Sequence, residues 1–268
     1  DCVGIFIGVQ EIINNKKIRI NNMGFGLYIV ATPIGNLDDI SERAIKTLTS
    51  SDLIICENPK HSLKLLNKLG IKKKLISLHD YNEKDVIRRL SSDLLSKNIA
   101  LISDAGSPLI SDPGYKLIQH CIKNNINVIS IPGPSSIVPA LQLCGFPINE
   151  FYFAGFVPKT KIQIAKFINK LKNIDKTSIF FVSNHKLEEL LDMLELEIKD
   201  RQISISKELT KMNENVFRGY PNDLKKIIIE NKENVKGEFV VVLNGKSPNK
   251  TKSFNMEEYK IEINKLLL

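Results

Sequence analysis

The sequence predicts an α/β protein in two domains, the first on a mostly parallel sheet and the second on a mixed one. Three observations carry this. From Leu27 onward, short apolar runs alternate with stretches of helical spacing, the pattern of strands covered by helices on both faces. The run Gly145-Phe146-Pro147 interrupts that alternation. Beyond it, the apolar runs near 203 and 216 are joined by a connection too short for a helix, which calls for an antiparallel pair.

In order, residues 27–31 read as a buried strand. Residues 38–49 read as a helix with Asp38, Asp39 or Ser41 at its cap. Strand 53–56, helix 59–69, strand 75–78 and helix 83–96 follow. Then come strand 99–103, helix 114–124, strand 128–131 and a helix over 135–143 that ends at Gly145. The second set has strands at 151–154, 178–182, 203–206, 216–218 and 238–243. Its helices fall at 161–172, 187–194 and 223–230. The domains are therefore expected at 23–147 and 148–246, with a polar linker and a short terminal helix over 247–268. Residues 1–22 differ from the rest and lack the basic start and cleavage site of a secretory signal. Met23 is the expected natural start, which makes 1–22 an extension.

The 268 residues carry 43% hydrophobic and 25% charged side chains, an ordinary globular profile with enough chain for a sizeable core. The formal net charge of +8 suits a polyanionic partner. The same excess also arises where Lys, Asn and Ile saturate a sequence, so charge supports a conclusion without carrying one. Cys2, Cys56, Cys121 and Cys144 lie far apart, with no CxxC pair and no histidine at ligand spacing. Free thiols, no metal and a cytoplasmic setting are expected. No apolar run reaches the roughly 20 residues that span a bilayer.

Ligands of open α/β sheets collect beyond the carboxyl ends of strands. Three such ends are loaded with turn residues: Ala31-Thr-Pro-Ile-Gly-Asn36, Ser103-Asp-Ala-Gly-Ser-Pro108 with Ser111-Asp-Pro-Gly114, and Pro132-Gly-Pro-Ser135. Each alone is an ordinary turn signal; three on one sheet edge form a candidate site, with backbone able to approach a ligand closely. Asp104 is the most informative member, because a carboxylate there can accept from ribose hydroxyls or an amine. Neither GxGxxG nor GxxxxGK[ST] is present, which disfavours dinucleotides and nucleoside triphosphates.

The runs LYIVATPIGNLDDIS (27–41), SDAGSPLISDPG (103–114), IPGPSS (131–136), KELTK (207–211) and KGEFVVVL (236–243) resemble the tetrapyrrole-methylase superfamily. Within it they are most similar to the branch that 2'-O-methylates a cytidine of 16S ribosomal RNA. The resemblance implies two αβα domains with S-adenosylmethionine in the cleft between them, a homodimer, and 16S ribosomal RNA or the 30S subunit as partner. By position it assigns the cofactor to Pro33, Ser103, Asp104, Ala105, Gly106, Ser107, Pro132 and Gly133, with Leu209, Thr210 and Gly237 from the second domain. A small tetrapyrrole as acceptor, or a homologue that binds without catalysis, are the alternatives.

Two runs depart from the family pattern. An acidic-Thr-Arg stretch after the second strand is replaced by Asn58-Pro59-Lys60 behind a retained Glu57, and a second-domain run reads Phe181-Val-Ser-Asn-His-Lys186. A ribose hydroxyl needs a positioned base; Glu57, at the end of the second strand, is the catalytic candidate, with Asp104 behind it. His61 and His79 each stand alone and read as surface histidines. His185, Lys186, Lys207 and Lys211 are the candidate substrate contacts, followed by Lys159, Lys161 and Lys166. Few aromatics interleave with these bases, so recognition through backbone charge and shape is expected rather than stacking.

Overall fold

The computed structural model describes residues 24–230 and 235–246. The extension over 1–22, Met23 and the helix expected over 256–268 lie outside the described residues. The chain divides into two compact units. The first holds the described residues up to Pro33 together with Leu37–Pro134, and the second holds Ile34–Asn36 and the described residues from Ser135 onward.

The first unit is a five-stranded sheet of β1 (Gly26–Val30), β2 (Leu53–Cys56), β3 (Lys74–Ser77), β4 (Asn98–Ile102) and β5 (Val128–Ile131). The strand order is β3-β2-β4-β1-β5, and every pairing is parallel. Because side chains alternate along a strand, each run serves two cores. Leu27, Ile55, Ile99 and Leu101 face α3 (Glu83–Leu90), α4 (Asp93–Ser96) and α5 (Tyr115–Lys123), where they meet Val86, Leu94 and Leu117. Tyr28, Val30, Ile54 and Ile102 face α1 (Glu42–Ser50) and α2 (Pro59–Lys68), where they meet Leu48 and Leu66. Continuous apolar runs are what burial on both faces demands.

Ser41 caps α1, accepting from Ala44 N at 3.1 Å. The single helix expected over 83–96 is two, α3 and α4, parted at Ser91 and Ser92. The Ser91 hydroxyl donates to Ile87 O at 2.7 Å, and Leu95 N reaches back only three residues to Ser92 O. Serine hydroxyls compete in this way with the helical ladder. Glu83, 3% exposed, accepts from Leu117 N at 2.9 Å and so caps the first turn of α5 from a distant element.

The second unit is a mixed sheet of β6 (Phe151–Phe156), β7 (Thr177–Ser183), β8 (Ile203–Lys207), β9 (Asn215–Gly219) and β10 (Glu238–Leu243) in the order β6-β7-β10-β8-β9. Only β6 and β7 are parallel; β8 and β9 form the expected antiparallel pair. One face packs Phe180, Ile205 and Val241 against α7 (Lys161–Lys172), α8 (Asn184–Glu197) and α9 (Pro221–Glu230). The other packs Ile179, Val240 and Val242 against α6 (Ile137–Cys144). This corrects the boundary expected at 147. Ala140, Leu141 and Cys144 bury their side chains on the second sheet, so α6 groups with the second unit and the division falls at Pro134/Ser135.

Candidate active site

The three turn-rich loops emerge side by side because β4, β1 and β5 are neighbours in a parallel sheet. They are also tied to one another. Thr32 N donates to Gly106 O at 2.9 Å and Gly106 N donates back to Thr32 O at 3.0 Å, a small antiparallel bridge between the first two loops. The Thr32 hydroxyl adds a bond to Ser103 O at 3.3 Å. Ser107 Oγ donates to Pro134 O at 3.4 Å and joins the third loop. Gly133 lies so close to β1 that a Cβ there would sit 3.2 Å from the Ala31 Cβ.

The second loop holds its shape through backbone that few residues adopt. Gly106, Leu109, Ser111 and Gly114 all have positive φ (78°, 75°, 69° and 124°). A side chain at Gly114 would also lie 2.9 Å from Leu109 Cδ2. Two non-glycine residues at positive φ within one loop are costly, and they turn the chain back on itself so that Asp112 returns to the strand edge it left at Ser103.

There, Glu57, Ser103 and Asp112 line one small recess floored by Leu78, Leu101 and Ile102. Burial, followed by the charge of Glu57, pushes the Asp112 carboxyl up to about 6, against an opposing hydrogen bond from Ser103. Glu57 is an exposed residue whose carboxyl nonetheless borders the recess. Partial burial, then the charges of Asp104 and Asp80, raise it above the ordinary carboxylate value. Asp104, half-buried, accepts from Asn58 N at 3.3 Å.

The replaced run after β2 has a plain structural job. Asn58 is the N-cap of α2, its side chain accepting from Lys60 N at 3.2 Å and His61 N at 3.4 Å, and Pro59 occupies the first helical turn. Asparagine caps as well as aspartate, and proline tolerates that position because its missing N–H has no helical partner. The exposed His61 stands on that turn, and the exposed His79 lies with its ring 6.1 Å from that of Tyr81.

In the second unit the KELTK run is a strained turn, with Glu208 at φ 52° and Thr210 at φ 67°. Glu208 is held by Glu238 N at 2.8 Å and by Lys211 Nζ at 2.9 Å, and Lys211 also pairs with Glu238 at 3.0 Å. A side chain at Gly237 would collide with Glu208. Leu209 is 6% exposed and packs in the core beneath α6, so it can meet a ligand only through its backbone. Thr210 Oγ1 is buried and has no hydrogen-bond partner among the described residues. Lys207 is 8% exposed. Lys186 pairs with Glu189 at 2.6 Å, whereas the neighbouring His185 faces solvent.

Described residues 26–224 match the model of the tetrapyrrole (corrin/porphyrin) methylases. The chain belongs to that family. It is 43% identical over 221 residues to the ribosomal RNA small subunit methyltransferase I of Halalkalibacterium halodurans, which covers 82% of this chain and 75% of that one. The protein of the same name from Thermotoga maritima is 42% identical, over 82% of this chain and 98% of its own length. Among solved structures, diphthine synthase superposes with a TM-score of 0.62 at 18% identity, over 81% of this chain and 89% of that chain. Cobalt precorrin-4 methyltransferase, a cobalamin biosynthetic enzyme, does so with 0.58 at 14% identity, over 82% and 94%. These likenesses share the fold: a parallel first sheet and a mixed second one.

Asp112 is the residue of the acidic recess that the sequence does not single out. In sequence Asp-Pro-Gly is a turn signal, and only the doubled-back loop shows its carboxyl beside Glu57. The available clue was spacing: two Asp-containing turns, eight residues apart, between one strand and the next helix. Among the described residues no cluster suits a metal ion, and no helix is long and apolar enough to cross a membrane.

Proposed function

We propose that this methylase transfers a methyl group from S-adenosylmethionine to a ribose 2'-hydroxyl of a cytidine in 16S ribosomal RNA, acting in the cytoplasm as a homodimer on the 30S subunit or its RNA. The observation that carries this is identity of about 40% over four fifths of the chain with proteins named for small-subunit ribosomal RNA methylation. The tetrapyrrole methyltransferases share only the fold, at 14–16% identity, so the small-tetrapyrrole reading has no comparable support.

The residues present fit the cofactor. The loop assembly offers exposed backbone at Ala105, Pro132 and Gly133 and a part-exposed carboxylate at Asp104, a donor and acceptor set matched to the hydroxyls and amine of a nucleoside-linked amino acid. When bound, the cofactor supplies an already activated methyl group, so alignment and exclusion of water are what remains for the protein to provide. Pro33, Ser103, Asp104, Ala105, Gly106, Ser107, Pro132 and Gly133 align it in this reading.

The proton of the ribose hydroxyl must go to a base. Glu57 is placed for this at the strand edge, and its raised affinity for a proton makes it a better base than a free carboxylate. Of the four substrate candidates, His185 is the exposed one. Lys186 and Lys211 are matched by neighbouring carboxylates and, with the buried Lys207, shape the edge on which a phosphate backbone would rest.

The test is calorimetric titration of the full chain with S-adenosylmethionine, repeated with Asp104→Ala. Saturable binding, weakened about tenfold or more in the variant as for loss of a charged hydrogen bond, is the expected result. It is followed by transfer of labelled methyl to 30S particles. A well-folded protein that binds no S-adenosylmethionine would sink the reading.

A further inference from the structure

The edge strand β6 carries a feature that neither the cofactor loops nor the acidic recess uses. Its pairing with β7 runs Phe151–Thr177, Tyr152–Ser178, Phe153–Ile179 and then jumps to Phe156–Phe181, so Ala154 and Gly155 together oppose Phe180. Gly155 sits at φ 74°. This is a β-bulge with a left-handed glycine, and an inserted residue reverses which face every later side chain takes. In unbroken register Phe156 would stand opposite Val182, on the face buried by α7, α8 and α9. The bulge instead sets it opposite Phe181, on the α6 face, beyond the part that α6 covers.

The result is an aromatic ledge. Phe156 is 59% exposed, yet its ring is braced: its centroid lies 5.0 Å from that of Phe181, which in turn lies 5.2 Å edge-on from Phe153. Val157 N fixes the strand end by donating to Phe181 O at 2.9 Å. Exposed Lys159 and Lys161 follow immediately in the chain, and exposed His185 is the second residue of α8, just past the end of β7. An open, rigid aromatic face beside cationic side chains matches an unstacked base on a phosphate backbone. An aliphatic partner would use the ring but not the lysines, and an acidic one the lysines but not the ring.

We propose that Phe156, turned outward by the bulge and backed by Phe181, is a stacking platform for an unpaired nucleobase of the RNA substrate. This rests on the reading of RNA as substrate and revises the expectation that stacking plays no part.

The test measures binding of the full chain to a short labelled single-stranded oligoribonucleotide and to one of equal length with abasic sugars, which keeps the phosphates and removes the bases. Phe156→Ala should weaken binding of the first roughly 5- to 100-fold, as for loss of one stacked base, and leave the second unchanged. Phe156→Tyr should bind like the wild type. Thermal melts and S-adenosylmethionine titration report on the fold and the cofactor reading separately. Equal binding of both oligomers by wild type, with no effect of Phe156→Ala, overturns the platform and leaves an RNA substrate standing. Failure of wild type to bind either oligomer overturns both. A change of sedimentation in Phe156→Ala, with RNA affinity unaltered, overturns it in favour of contact between copies of the chain.

Discussion

At the scale of single residues, the acidic recess sets the strongest expectations. Glu57→Gln should lower the rate of methyl transfer by about 10²- to 10⁴-fold, the usual worth of a positioned base, while calorimetry finds cofactor binding intact; an unchanged rate would remove Glu57 from the mechanism. Asp112 governs a pH effect of definite sign. Its carboxyl titrates at about 6 when folded, against an ordinary 3.8. Between those values the folded chain keeps a proton that the unfolded chain has released, so its contribution to stability falls as pH rises, and the full cost stands above about 6. Asp112→Asn should therefore stabilise the protein at pH 8, by about 1 kcal/mol once solvent screening is allowed for, and do nothing near pH 3. Equal effects at both pH values in urea melts would contradict this. Pattern reading located Asp104 and Glu57 because strand ends are legible from periodicity. It could not locate Asp112, whose position depends on positive φ at Leu109 and Ser111, nor foresee that Glu238 reaches Lys211 through the fold, whereas the Lys186–Glu189 pair is local, three residues apart on one helix.

At the scale of elements, a substitution that looks like loss of a motif turns out to preserve a helix. Asn58→Ala should cost about 1 kcal/mol, the ordinary worth of an N-cap, whereas Asn58→Asp should match or slightly exceed wild type, because a carboxylate also suits the positive end of α2. Guanidinium melts of the two variants would show it, and an Asn58→Ala protein as stable as wild type would discount the cap seen at Lys60 N and His61 N. The described strands and most helices were legible because two-faced burial leaves unbroken apolar runs and amphipathic helices leave a 3.6-residue period. What escaped had a tertiary cause. The helix breaks at Ser91 and Ser92, where the Ser91 hydroxyl bonds back to Ile87 O and Leu95 N reaches only to Ser92 O, contacts that spacing does not record. The helix at α6 was assigned to the wrong domain because Gly145-Phe146-Pro147 is a good stop signal, whereas the allegiance of Ala140 and Cys144 depends on which sheet they meet. The bulge in β6 was invisible because Ala154-Gly155 reads as the end of a strand rather than as its kink.

At the scale of the whole molecule, the question is what a net charge of +8 does. Much of the lysine is matched locally: Lys46 by Glu42, Lys97 by Asp93, Lys172 by Glu197, Lys176 by Glu150, and Lys225 by both Asp192 and Glu195. Exposed pairs of this kind add little stability, but they remove cations from the count that can neutralise phosphate. Binding to single-stranded nucleic acid weakens with salt by about 0.7 in log–log slope per phosphate contacted. If the entire excess met phosphate, the slope would be about −6. A contact confined to the edge carrying Lys159, Lys161 and His185 engages at most three phosphates and should give about −2 or shallower. Titrations of the full chain with a single-stranded oligoribonucleotide across a salt series separate the two. A slope near −6 would mean that the charge excess is spread along an extended RNA path. A shallow slope would mean that most of the unmatched basic side chains lie away from the RNA, with the affinity concentrated where the aromatic ledge and its few exposed cations coincide.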